Sequence, residues 1–150
     1  MRVFVPALGV ALLTAALADE PPLPEVATAL SRIERRSTIE LTTTGRKTGA
    51  EHTKPIWFVV DGGKIIVQAG KGGKTDWYQN LLKTPTAVVR EEPYLFRVRA
   101  KPVTDPGRID AIHKLFLKKY TSAWLLSFMG SSIGRDQPVE LEPVAVAVSR

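Results

Sequence analysis

The chain has 150 residues, enough for one domain with a packed core and too few for two ordinary ones. Hydrophobic residues at 44% and charged residues at 24% exclude a disordered chain, and a formal charge of +6 inclines the surface toward anionic partners. There is no cysteine, which excludes a disulfide framework, a thiolate metal site and a cysteine nucleophile together.

The first segment carries a targeting signature. Met1-Arg2 opens onto VFVPALGVALLTAALADE, a short cationic start, an apolar run and then small residues. Ala16-Leu17-Ala18 has the small-x-small form of a signal-peptidase site, with Asp19 as the mature start. The apolar run from Val3 to Ala18 is shorter than the roughly 18 residues of a spanning helix. Residues 1–18 are therefore expected to be a cleaved signal peptide, making the protein periplasmic or extracellular. Left uncleaved, the same run would tether the chain to a membrane. No twin arginine is present, so export would be of the unfolded chain, and no cysteine follows to carry a lipid anchor.

Residues 19–24, DEPPLP, read as an extended linker because proline restricts its own backbone and that of its neighbour. Residues 25–36 read as a helix striped by Val26, Leu30 and Ile33. STIELTTT (37–44) alternates like a half-buried strand, and Thr53 to Val60 is a second one, with Pro55 demanding an edge or end position. A tight Asp61-Gly62-Gly63 turn leads to a third strand, Lys64–Ala69. After GKGGK (70–74) comes a short helix from Thr75, a candidate N-cap, to Lys83, with Trp77 and Leu81 on one face. Residues 86–92 and 94–103 make two more strands. Asp105-Pro106 opens a helix to about Tyr120, striped by Ile109, Ile112 and Phe116. A helical piece at 122–129 and a closing strand at 138–148 complete residues 25–150 as a single domain. Six strands with helices between them predict an α+β fold, most simply a small antiparallel barrel with helices packed outside.

Several motifs fail on context. Gly130-Ser131-Ser132-Ile133-Gly134 has the spelling of a nucleophile elbow, but a helix precedes it and both histidines, His52 and His113, lie upstream. Gly73-Lys74-Thr75 resembles the end of a phosphate loop, yet Gln68 stands where the first glycine must be. The two histidines lack metal-ligand spacing, so no metal site is expected. Lys114, Lys118 and Lys119 read as a solvated helix face rather than a nucleic-acid contact.

GRKTG (45–49) and GKGGK (70–74) are a pair. Glycine-rich loops let backbone N–H groups approach an anion, and flanking cations neutralise it. If strands one to three form a meander, both loops leave the same end of the sheet, beside the N-terminus of the helix that starts near Thr75. Either these cations converge on an anion, or they are two independent solvated loops.

LTTTGRKTG, the apolar residue after Pro55, DGGKIIVQAGKGG (61–73), WYQNL (77–81), Thr84-Pro85 and GRDQPVELEP (134–143) together resemble the deazaflavin-dependent nitroreductase family. The resemblance runs from about residue 31 to 144 and implies a six-stranded antiparallel split β-barrel with flanking helices. It also implies an oxidoreductase that takes a hydride from reduced coenzyme F-420 to an electron-poor acceptor, a nitroaromatic, a quinone or similar. By the same resemblance Arg46 and Lys47 hold the cofactor phosphate. Thr48, Gly49, Lys71, Gly72 and Gly73 are neighbouring phosphate-loop positions, and Trp77 and Asn80 lie on the helix beside the cofactor. A proton must accompany the hydride, and Tyr120 or Tyr78 is the candidate donor. Barrels of this class often pair, so a homodimer is a further expectation. This chain departs from the pattern at Gly70, where many members carry serine, and at His52, where arginine or lysine is common. The link from Gly73 to Trp77 is also shorter. An exported barrel binding flavin (FMN), haem or an apolar ligand without turnover is the alternative.

Overall fold

Six antiparallel strands pair in the order β1-β2-β3-β6-β5-β4, and β4 returns to β1 to close the barrel. The computed structural model describes residues 22–120 and 136–150. The strands are β1 (Thr38–Thr44), β2 (Glu51–Asp61), β3 (Lys64–Ala69), β4 (Thr86–Glu91), β5 (Tyr94–Pro102) and β6 (Gln137–Val148). The helices are α1 (Pro24–Ile33), a single turn α2 (Gly70–Gly73), α3 (Asp76–Lys83) and α4 (Pro106–Lys119). The α+β barrel expected from the strand pattern is the architecture observed.

Period-two alternation sends one face of every strand into a common core. Ile39, Leu41, Phe58, Ile65, Val67, Val89, Phe96, Val98 and Leu141 all lie there, nearly or wholly without solvent contact. Each such side chain contributes about 1.5–3 kcal/mol of burial. The buried stripe of α1, Val26, Ala29, Leu30 and Ile33, joins the same core. On the outer surface α4 lays Ile112, Phe116 and Tyr120, spaced four apart, against Val59 of β2 and Ile66 of β3. An ion network locks that helix down: Arg108 donates to Asp61 at 2.8 Å and to Glu140 at 2.9 Å, while Lys64 donates to Glu140 at 3.0 Å. Burial pushes the Glu140 carboxyl up, but its hydrogen bonds from Arg108 and Lys64 outweigh this and hold it below its usual range.

Element boundaries moved for physical reasons. Pro24 belongs to α1 rather than to the linker, because the first helical position tolerates a missing N–H. Pro22 also packs: a Cβ on Gly63 would lie 2.9 Å from its ring. The helix stops at Ile33, three residues early, since Glu34, Arg35 and Arg36 are exposed and offer nothing to bury. β2 begins at Glu51 rather than Thr53, because β1 pairs with it as far as Thr44↔Glu51. Pro55 falls where β2 is bonded to β1 alone, its pairing with β3 being confined to residues 58–61, so the local edge is real. Thr75 stands at the N-cap of α3 with an extended backbone, but its hydroxyl makes no capping bond and is buried without a partner. Asp105 does cap α4, accepting from the Arg108 N–H at 2.8 Å. The expected helical piece at 122–129, the turn at 130–134 and the segment 1–18 lie outside the described residues. Among the described residues no helix is long and apolar enough to cross a membrane.

Candidate functional site

The β1–β2 hairpin overruns the barrel, and the overrun makes the site. Directly opposed residues of an antiparallel pair share a face. Leu41 faces the core and opposes Lys54; the buried Thr43 opposes His52. His52 and Lys54 therefore continue the inward stripe of Phe58 and Ile56 beyond the point where the barrel can cover it. Helix α3 faces them instead.

The loop joining β1 to β2 is held tightly. The Gly45 N–H donates to the Ala50 carbonyl at 2.7 Å, and the Gly49 N–H donates to the Gly45 carbonyl at 2.8 Å. The Thr48 hydroxyl accepts from the Ala50 N–H at 3.2 Å. Gly45 is favoured by close approach, since a Cβ there would lie 3.0 Å from the Ala50 carbonyl oxygen as well as 2.9 Å from His52 Nε2.

Helix α3 then clamps the loop. Asn80 Oδ1 accepts from the Arg46 backbone N–H at 3.1 Å and from its guanidinium at 3.0 Å, while Asn80 Nδ2 donates to the Thr43 hydroxyl at 3.2 Å. Both Asn80 and Thr43 are buried, so the bond between them lies where water does not compete, while the two bonds from Arg46 lie part-buried above it. Arg46 also pairs with Asp76 at 3.1 Å, and Lys83 donates to the Arg46 carbonyl at 2.8 Å.

Between loop, β2 and α3 lies a cleft of about 320 Å³, bounded by Arg46, Lys47, His52, Lys54, Trp77 and the Asp76–Asn80 turn. Hydrogen bonding and charge from Arg46, with Lys54 and Lys47 behind it, hold the Asp76 carboxyl below its usual range. Three basic side chains thus face one carboxylate, with the half-buried Trp77 ring as a wall. That donor set fits an acidic group, and the wall suits the flat or apolar body attached to it.

Of the residues expected from sequence, Arg46, Lys47, Thr48, Trp77 and Asn80 come together at this cleft, and Gly49 closes their loop. Lys71, Gly72 and Gly73 do not line it. They form a left-handed turn with φ of 56°, 64° and 81°, which leads through Lys74 and Thr75 into α3. Gln79 donates to the Gly73 carbonyl at 2.8 Å, and a Cβ on Gly73 would lie 3.0 Å from the Tyr78 ring. The glycine at that position is a packing requirement. Tyr78 packs on that turn and edge-on against Trp77 at 6.3 Å, away from the cleft lining. Tyr120 is not brought to the cleft either. Its hydroxyl accepts from the Phe58 N–H at 2.9 Å and donates to the Ser37 carbonyl at 2.8 Å or the Phe58 carbonyl at 2.9 Å. Burial pushes its pKa up to about 12, against a proton-donor role near neutrality. Thr43, Lys54 and Asp76 were not singled out from sequence. The inward parity of β2 counted back from Phe58 points to Lys54, and Asp76 lies one helical turn before Asn80.

Comparison with known proteins bears on the same stretch. Residues 25–123 match the sequence model of the family described as F420H(2)-dependent quinone reductase. A 66-residue segment is 38% identical to the F420H(2)-dependent quinone reductase Rv1261c of Mycobacterium tuberculosis, covering 42% of this chain and 44% of that protein. The match thus spans less than half the length of that relative. The solved structure of an F420-H2 dependent reductase is 26% identical, with a TM-score of 0.55 over 71% of this chain and 93% of its own. A conserved hypothetical protein of Mycobacterium tuberculosis superposes at a TM-score of 0.67 over 88% of this chain and 87% of its own; at 17% identity it shows the shared fold alone. With the matched residues spanning α1 to α4 and containing the whole cleft, the chain belongs to the F420H(2)-dependent quinone reductase family.

Proposed function

We propose that this protein is an oxidoreductase that uses reduced coenzyme F-420 to reduce an electron-poor small molecule, of quinone or nitroaromatic type. The observation that carries the reading is the clamp of Asn80 on Arg46, which presents Lys47 and the guanidinium beside Trp77 in one cleft. When bound, the coenzyme supplies the hydride. The chain's own residues supply position: Arg46, Lys47 and Lys54 neutralise an acidic arm, and Gly45 and Gly49 bring the loop backbone close to it. Trp77 limits how a flat ring can lie and excludes water from one side. Because Asn80 and Thr43 fix the loop before any ligand arrives, little ordering remains to be done on binding.

Replacing Arg46 and Lys47 together by alanine tests this. Two charge-assisted contacts at about 1.5–3 kcal/mol each support at least a tenfold loss of affinity after solvent screening. The KM for reduced coenzyme should rise at least that much, with less change in kcat, because the pair holds the cofactor in ground and transition state alike. Equal titrations of wild type and double variant would return the two cations to the role of solvated loop residues. A flavin or haem spectrum in protein purified from its native host, with no response to reduced coenzyme, would favour a binding protein instead. As part of the same proposal residues 1–18 direct export, and the mass of the mature chain from that host should correspond to a start at Asp19.

A further inference from the structure

A carboxylate is an odd component of a cleft that accepts anions. Asp76 stands among Arg46, Lys47 and Lys54, and its side chain is 76% exposed, so it lies at the mouth of the cleft. Stability does not account for it, since an ion pair so exposed contributes little. Nor does Arg46 depend on it for position. Asn80 already holds both the backbone N–H and the guanidinium of Arg46 from a buried site. What Asp76 does add is a fixed negative charge beside any incoming anion, and occupation of one edge of the guanidinium at 3.1 Å.

We propose that Asp76 is a specificity-determining residue: it grades ligands by charge, so that Arg46, Lys47 and Lys54 together seat a singly charged phosphodiester while phosphomonoesters and pyrophosphates are disfavoured. Repulsion from one carboxylate is felt once by a monoanion and several times by a polyanion, so the penalty multiplies with ligand charge. Lys54 completes the seat from the β2 side, because its register partner Leu41 fixes it on the inward face. This rests on the cleft being the anion seat of the proposed function, and it names which anions that seat prefers.

The test uses the full chain, with diphenyl phosphate as a phosphodiester monoanion and inorganic pyrophosphate as the polyanion, titrated by calorimetry at pH 7.5 and low salt. Asp76→Asn keeps an oxygen acceptor for Arg46 and removes the charge; Asp76→Ser serves if the first variant folds poorly. After screening, each unit of ligand charge should be worth about threefold, giving about threefold tighter diphenyl phosphate and about twentyfold tighter pyrophosphate. Lys54→Ala should weaken both ligands in either background. A graded gain that shrinks in high salt supports the proposal. Equal gains for both ligands, no gain, weaker binding, or no binding of either ligand to wild type and variant would overturn it. A graded gain in a protein that ignores reduced coenzyme F-420 would remove the coenzyme reading alone. Coenzyme binding with no graded gain would remove the role of Asp76 alone.

Discussion

Two adjacent pairs of cations, Arg46-Lys47 and Lys118-Lys119, look alike in the sequence and are used in opposite ways. At the overrun hairpin Arg46 faces Asp76 and Asn80 across 3.1 Å and 3.0 Å, and Lys47 is exposed beside the cleft. At the α4 seam Lys118 points to solvent. Lys119 instead lies 3.6 Å from the centre of the Phe58 ring and donates to the Phe58 carbonyl at 2.8 Å. Desolvation pushes its pKa down to about 8, with the charge of Glu34 offsetting part of that. The tyrosine beside it is equally committed to packing, its ring 5.9 Å from Phe116 and 5.6 Å from Trp57. One region gathers its polar groups around an open cleft and the other uses them to close the barrel wall. What separates them is whether the sheet beneath is covered, not the residue types present.

The sharpest way to break that contrast is Tyr120→Ala. It removes a buried ring and the acceptor for the Phe58 N–H, and about 3–5 kcal/mol of stability should go with them. Cofactor KM and kcat of the remaining folded protein should hardly change. A kcat loss above tenfold at an unchanged melting temperature would place the phenol at the reacting atoms and collapse the distinction between the two regions.

Asn80→Ala probes the other side with a smaller effect. It strands the Arg46 N–H and the Thr43 hydroxyl, at a cost of about 2 kcal/mol. Here, unlike at Tyr120, function should follow stability, with cofactor KM rising about fivefold as the loop loses its clamp. A melting temperature that falls with no change in KM would mean that the loop holds its shape unaided.

The barrel was legible in the sequence because β1 and β5 alternate, because β3 is a short apolar run, and because Gly62-Gly63 and Asp105-Pro106 punctuate the chain. The loop that borders the cleft was legible because Gly45 and Gly49 bracket two cations. Less could be read where a residue's role depends on strand overrun. Lys54 looks like any exposed strand lysine until its register with Leu41 is known. Tyr120 is a candidate donor on the sequence only because a proton must accompany the hydride and a phenol can carry one. Only the fold shows that Phe58, sixty-two positions earlier, takes up its hydroxyl. The glycines at 70–73 look like a second phosphate loop in the sequence, and only the fold shows that Gly72 and Gly73 also serve a left-handed turn, with the Tyr78 ring packed on Gly73.

Lys119→Met should give the smallest effect, and its sign is the informative part. The folded protein disfavours the charged amine, so its pKa of about 8 lies below the 10.5 of the free side chain. Below pH 8 the lysine is protonated folded and unfolded, and it destabilises the fold by a constant amount. Between pH 8 and 10.5 the unfolded chain holds the proton and the folded chain does not, so stability rises with pH across that window. Because the side chain is only partly buried and solvent screens it, the rise attributable to this group is about 1 kcal/mol. Methionine fills similar volume without charge, and the Tyr120 hydroxyl can turn its proton to the Phe58 carbonyl that the amine leaves. The variant should therefore be slightly more stable than wild type at pH 7 and about equal to it by pH 10.5. Urea denaturation of both proteins at pH 7 and at pH 9.5 measures this. Parallel stability curves would show that Lys119 reaches water as freely as Lys47, and the contrast between the two regions would then rest on Tyr120 alone.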